Sequence, residues 1–188
     1  YEILYYDQSF DNFIFLNPQN EFRTTIRGSF PVFKYTQTRA RILGLDFTSA
    51  FLLTDGINIS FKASYLKGTD IQNNIPLIYL PSNNLFLSFQ KQVPKVGKWN
   101  QITFEINNKY IFEQKNILSE QDFASPPKGY NLTGVKISGE RQLGFNRLNM
   151  FLRIDNLFNI SYRDYLNRLR YFADDLGINA IMGLNLNF

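Results

Sequence analysis

The chain of 188 residues has no cysteine and no histidine, and only one tryptophan and two methionines. Without cysteine there is no disulfide, no thiolate metal site and no thiol nucleophile. Without histidine the commonest general base and the commonest transition-metal ligand are missing, so a serine–histidine–acid arrangement cannot be built. No run approaches the ~18 apolar residues of a membrane helix. Transmembrane strands leave no such run, because lipid-facing and lumen-facing residues alternate along them. The net charge is only +4, and the basic residues form no stripe of the kind nucleic acid requires, so no nucleic-acid partner is expected. Residues 1–6 read Y-E-I-L-Y-Y, with no initiator Met, basic leader or small-residue cleavage site. The reading is of a chain that begins inside a strand, as a piece of a longer protein.

What is abundant is aromatic. Nineteen Phe and eleven Tyr favour β-structure. The last nine residues, A-I-M-G-L-N-L-N-F, show how it is used. Ala180, Met182, Leu184, Leu186 and Phe188 fall on one face of a strand, and Asn179, Gly183, Asn185 and Asn187 on the other, because side chains alternate at period two. A soluble domain usually frays into a polar end. A strand that stops on an aromatic suits an interface between membrane and water.

Turn residues divide the rest into about eight strands: residues 2–17, 38–54, 57–67, 84–93, 99–114, 130–142, 148–155 and 180–188. The connections are expected to alternate, long at 19–37, 68–84, 115–129 and 163–177, short at Asp55-Gly56, 94–98 and 144–147. That is the plan of an outer-membrane barrel, with short periplasmic turns and longer extracellular loops. All seven prolines fall in the expected connections, where a missing N–H costs no ladder bond. Lys62, Glu105, Lys109, Lys136, Glu140, Arg153 and Asp155 oppose apolar faces, as wall residues of a water-filled lumen do. Strands of about 13–16 residues exceed both the globular mode and the ~9–11 needed to cross a bilayer. Trp99, Phe89, Phe51 and Phe188 near the short turns, and Phe13, Phe15, Tyr65, Tyr110, Phe112, Tyr162 and Tyr165 near the long loops, form two aromatic belts. The expected fold is all-β, an antiparallel up-and-down transmembrane β-barrel segment.

No catalytic constellation emerges, and the chain is read as no enzyme. Asp46, Glu105, Glu140 and Asp155 line a wall rather than pair as acid and base. Asp174-Asp175 lack the ligand count of a calcium site, so neither metal nor cofactor is assigned. The first and last long loops are basic, and attract anions through their field. Arg27, Tyr35, Arg39, Tyr79, Arg168, Arg170 and Tyr171 are the ligand-facing loop candidates.

Several stretches resemble a known family. E-F-R-T-T-I-R-G-S-F-P-V-F-K-Y-T-Q-T at 21–38, followed by I-L-G-L-D at 42–46, resembles a loop and descending strand of TonB-dependent outer-membrane receptors. D-N-L-F-N at 155–159, Y-R-D-Y-L-N-R-L-R-Y-F-A-D-D-L-G-I-N at 162–179 and the aromatic-terminated strand resemble the last extracellular loop and closing strand of such receptors. The resemblance covers essentially all of the chain and is strongest from residue 155 to the end. It implies that residues 1–188 are the C-terminal part of a 22-stranded barrel, with the plug and N-terminal strands absent. It further implies location in the bacterial outer membrane and import of a scarce nutrient, a ferric siderophore or similar iron complex. Implied partners are TonB through the missing N-terminal region, the barrel-assembly machinery, outer-membrane lipid and lipopolysaccharide, and the small-molecule ligand. Met182, Leu184, Leu186 and Phe188 are then the signal read by the assembly machinery.

Two other readings remain open. One is a complete eight-stranded outer-membrane protein with a structural or adhesion role, whose first and last strands pair and close the wall. The other is a soluble lipocalin-like carrier with an apolar interior.

Overall fold

The computed structural model describes residues 1–53 and 56–188. The expected Asp55-Gly56 turn includes Asp55, which lies outside the described residues. Nine antiparallel strands build one sheet: β1 (Glu2–Thr25), β2 (Gly28–Leu52), β3 (Ile57–Asp70), β4 (Ile75–Pro76), β5 (Asn84–Val96), β6 (Trp99–Ile111), β7 (Tyr130–Leu143), β8 (Asn146–Asp155) and β9 (Asn179–Asn187). Their order is β1-β2-β3-β5-β6-β7-β8-β9, with the short β4 beside β3. Each long strand pairs with the next along the chain, so the all-β, up-and-down wall segment is the observed fold.

Its two ends differ. At one end, two-residue turns at Gly97-Lys98 and Gly144-Phe145 join β5 to β6 and β7 to β8. Gly97 and Gly144 sit at φ 59° and 62°, where a Cβ is strained. Phe188 follows β9 at this end, since Asn187 pairs with Arg147. Loops 77–83, 112–129 and 156–178 lie at the other end.

The side chains are sorted by face. Following register partners across the sheet, Phe51, Ile59, Phe89, Ile106, Val135, Ile154 and Ala180 form one unbroken apolar row. Phe51, Phe89 and Ile106 are exposed. Because the row follows the hydrogen bonds, it climbs from the turn end of β2 to the loop end of β8. That climb is the tilt and shear of a barrel wall. On the opposite face run Gln90, Glu105, Lys136 and Arg153. The last loop folds over the polar face, where Tyr162 and Leu176 meet Phe86, Lys109 and Leu132.

Among the described residues, no large side chain is fully buried. The buried apolar residues include Leu77, Ile78 and Tyr165 in the loops and Ala40 beneath them. The packed core therefore sits at the loop end.

The structure corrects the first connection. Residues 19–37, expected as a long loop, belong to β1 and β2, which pair on either side of an irregularity between Pro18 and Phe22 and up to Thr25 opposite Gly28, around the two-residue turn Ile26-Arg27. The stretch is polar because a hairpin that rises beyond the neighbouring strands has water on its faces, and polarity alone does not end a strand. Four of the seven prolines accordingly lie in strands rather than connections. A register irregularity accommodates Pro18, before Phe22, and at Pro94 the β5–β6 register runs on unshifted from Val93 to Lys95, with no ladder partner for Pro94 itself. Pro31 lies above Ala40, where β3 pairing to β2 begins, so its missing N–H has an edge to face. Pro76 ends the two-residue β4.

Candidate functional site

At the loop end, three loops meet around one carboxylate. Asp122, from loop 112–129, is buried against Arg170 of a short 3₁₀ turn, Arg168–Tyr171, in loop 156–178. Arg170 Nη2 donates to Asp122 Oδ2, and both side chains are almost wholly excluded from solvent, at 2% and 1% exposure. Tyr171 Oη donates to Asp122 Oδ1 at 2.5 Å. Tyr79 Oη, from loop 77–83, donates to the same oxygen at 3.0 Å, and the two phenol oxygens lie 3.0 Å apart. The Tyr165 hydroxyl accepts from the Tyr79 backbone N–H at 3.3 Å. The guanidinium of Arg170 lies 5.0 Å and 4.6 Å from the ring centres of Tyr165 and Tyr171. Both the charge and the hydrogen-bonding capacity of the buried carboxylate are thus answered.

Each loop supplies its residue for local reasons. Asn167 caps the 3₁₀ turn by accepting from Leu169 N at 3.0 Å. Asp175 accepts from Asp164 N and Asn167 Nδ2, both at 2.7 Å, and Tyr130 Oη donates to Asp164 at 2.7 Å. Arg163 pairs with Asp174 at 2.6 Å, and Ser161 Oγ donates to the same carboxylate. These contacts hold Asp174 below the usual carboxylate range. The adjacent acids Asp174 and Asp175 therefore tie the loop to itself. Tyr79 reaches inward from the left-handed region, at φ 56°.

Burial, together with hydrogen bonds around Asp122, shifts the phenols upward. Desolvation is the largest cause for Tyr79 and Tyr165. Tyr171 is pushed up to about 12, first by desolvation and then by its bond to Asp122. All three are neutral at physiological pH, with Tyr79 and Tyr171 donating to Asp122 and Tyr165 accepting from the Tyr79 N–H.

The tall β1–β2 hairpin leans on this cluster. Phe33 lies 5.3 Å from Phe123 and 6.3 Å from both Tyr79 and Tyr171, centre to centre. Phe22 adds an edge contact to Phe123 at 5.0 Å, and Phe30 one to Phe172 at 6.0 Å. Arg168 lies over Phe33 at 6.0 Å, with its side chain exposed.

Of the seven ligand-facing candidates, the structure brings Tyr79, Arg168, Arg170 and Tyr171 together. Arg170 is interior and fully engaged, and Arg168 is the cation the cluster presents to solvent. Arg27 occupies the hairpin tip, its backbone N–H bonded to Thr25 Oγ1 at 3.2 Å. Tyr35, 79% exposed, and Arg39 lie on β2, and among the described residues neither contacts the cluster. Sequence reasoning missed Asp122, Phe123 and Phe33. The only available signal was indirect, since a buried arginine needs a carboxylate and Asp122 is one of two acids in its loop beyond Glu113.

On the polar face the four wall carboxylates stand apart, each with its own partner. Asp46 accepts from Ser64 at 2.5 Å and Glu105 from Asn107 at 3.1 Å. Glu140 is 3.8 Å from Arg147, and Asp155 is 3.0 Å from Arg153. Met182, Leu184 and Leu186 are exposed on the apolar face, opposite Leu152, Met150 and Leu148. Phe188 is 97% exposed.

No family model matches the sequence, and no curated protein matches it. Solved structures do. One is described as "Copper transporter OprC", superposing with a TM-score of 0.73 at 17% identity. The match takes in 99% of this chain but only 28% of that one. The chain therefore shares the fold of about a quarter of a transporter's length.

Proposed function

We propose that this chain is part of the wall of a bacterial outer-membrane import receptor, energised through TonB. The observation that carries the reading is the inverted facing. Across seven strands the apolar row is exposed at Phe51, Phe89, Ile106 and Ala180 and half-buried at Ile59, Val135 and Ile154, whereas the last loop folds over the polar face. A lipocalin-like carrier needs the reverse. A closed eight-stranded barrel needs its first and last strands paired, and among the described residues β1 and β9 are opposite edges of an open order. The coverage of a quarter of a longer transporter suits a segment completed by further strands and a plug. On this reading the loop end is extracellular, and Met182, Leu184, Leu186 and Phe188 form the periplasmic signal for the assembly machinery.

The cargo we assign is a ferric siderophore or similar iron complex. The solved transporter is named for copper. A bare copper ion favours imidazole, thiolate or thioether donors. This chain has no His or Cys, and Met150 and Met182 are exposed on the apolar face. The loop cluster instead presents aromatic rings and the exposed Arg168, which suit an anionic chelate.

The test is uptake by cells lacking the full-length protein. Loss of ferric-chelate uptake, restored by the protein only when TonB is present, is expected. Unchanged iron uptake with reduced copper uptake would overturn the cargo assignment. Recovery of the protein in the soluble fraction would overturn the membrane reading.

A further inference from the structure

Where loop 156–178 folds over the polar face it roofs a cavity of about 270 Å³ that the Asp122 cluster does not use. The floor is sheet. Phe86, Lys109 and Leu132 share one register row across β5, β6 and β7. Gly134, two residues further along β7, pairs with Asn107. Its missing side chain keeps the floor open, since a Cβ there would come within 2.8 Å of Asn107 Oδ1. The roof is tied down. Asn156 Nδ2 donates to Ile160 O at 2.8 Å and to Leu176 O at 3.4 Å, and Asn156 Oδ1 accepts from Ile160 N at 2.8 Å. The Tyr162 ring lies 4.5 Å from that of Tyr130, centre to centre, and Tyr130 is anchored on Asp164. Tyr162 and Leu176 are thus held over the floor, and the cavity is preformed.

Its lining carries both signs of charge. Lys109 on β6 and Asp155 on β8 stand on either side of β7, roughly 10 Å apart for two strand spacings. Among the described residues Lys109 has neither an ion pair nor a hydrogen bond. Asp155 meets Arg153 through Oδ2 at 3.0 Å, and among the described residues its Oδ1 has no partner. The Tyr162 hydroxyl is equally free among them. Burial first, and then the charges of Asp175, Asp164 and Asp155, raise the Tyr162 pKa, so the phenol stays neutral and can both donate and accept. Phe86, Leu132 and Leu176 supply apolar surface between these groups.

We infer that this cavity binds a free α-amino acid with an apolar side chain. The ligand carboxylate meets Lys109, its ammonium meets Asp155, and its side chain rests on Phe86, Leu132 and Leu176. Opposite charges one strand apart select a ligand that carries both signs, because a lone anion is repelled by Asp155 and a lone cation by Lys109. The volume falls below the ~300 Å³ at which sites for larger ligands begin. It is too small for an intact iron chelate, so the inference stands apart from the cargo assigned above.

The experiment titrates leucine into the full-length protein in mild detergent by isothermal titration calorimetry. Two analogues are titrated beside it: N-acetyl-leucine, which lacks the ammonium, and leucine methyl ester, which lacks the carboxylate. Leucine should bind saturably and each analogue about tenfold or more weakly, as when one partner of a desolvated charge pair is removed. Lys109→Met should weaken leucine by a similar factor and bring leucine and its methyl ester to equal affinity. Asp155→Asn should do the same for leucine and N-acetyl-leucine. Lys98→Met, at the turn end, should match the parent. No saturable leucine binding by the parent, or equal affinity of the parent for all three ligands, overturns the inference. The analogue series on the parent decides the matter even where a variant fails to fold. Ferric-chelate uptake is expected to be unchanged in Lys109→Met, so failure of this site leaves the proposed import function standing.

Discussion

Asp122 and Arg170 are the most constrained side chains at the loop end. Removing one partner of a buried pair leaves the other charged and desolvated, at a cost of ~3–5 kcal/mol, whereas replacing both with apolar residues can be neutral. Arg170→Ala is therefore expected to open the loop cluster, read as rapid proteolysis within loop 156–178 of the otherwise folded protein. Arg170→Met/Asp122→Leu should be cleaved more slowly than either single variant; additive damage would refute a paired role. Tyr171 gives the cluster a pH limit. Its phenol is raised from 10.0 to about 12, so the folded loop favours the neutral form. That stabilisation is complete below pH 10 and is lost as pH rises towards about 12. Near-UV circular dichroism from the packed rings should fade over that window, and Tyr171→Phe should flatten the transition. At this scale the sequence was partly legible. Tyr79, Arg170 and Tyr171 stood out as aromatic and cationic loop residues, but their joint partner lies 48 positions before Arg170, in a loop with no periodicity to mark it.

Strands were easier to read than the space between them. Period-two alternation located eight long strands, because each is apolar on one face only. It failed over residues 19–37, where the hairpin rises beyond the neighbouring strands and the distinction between faces disappears. The Thr, Phe, Val and Tyr content of that stretch still favours a strand, and Gly28 at φ 126° permits the tight turn. Register carries information that alternation lacks. Phe151 is the register partner of Gly183, and a Cβ on Gly183 would come within 2.2 Å of the Phe151 ring. The ring covers the glycine, holding β8 against β9, an aromatic rescue of a bare strand position. Gly183→Val is expected to destabilise the last hairpin by ~1–3 kcal/mol through overpacking, measured as a lower urea midpoint of the full-length protein in vesicles. Phe151→Ala in the same chain should recover part of that loss. Failure to recover would show that the ring and the glycine are not coupled.

For the whole molecule, the question is what solvent surrounds the wall. The register shift between Asn100 and Thr103, with Gln101 at φ 47°, brings Trp99 beside Ile102, Leu152 and Met182 in an outward groove near the turns. Tyr110 lies on the same face of β6 eleven residues on (110 − 99 = 11). At ~3.4 Å per residue and ~45° of tilt, these rings are about 26 Å apart along the axis of the wall, close to the ~25 Å apolar band of outer-membrane barrels. Ile106 falls between them, exposed in the apolar row. Ser138 is on the polar face, in the row of Thr103 and Phe151. Arginine at these two positions separates lipid from water as the outer solvent. If lipid covers the apolar face, Ile106→Arg costs ~2–4 kcal/mol near the midplane, and Ser138→Arg, facing a wet lumen, changes stability by less than ~1 kcal/mol. If water covers both faces, the two substitutions differ little and Ile106→Arg is the more benign. Urea unfolding of the full-length protein in lipid vesicles measures the difference, and its sign decides whether lipid or water covers the apolar face.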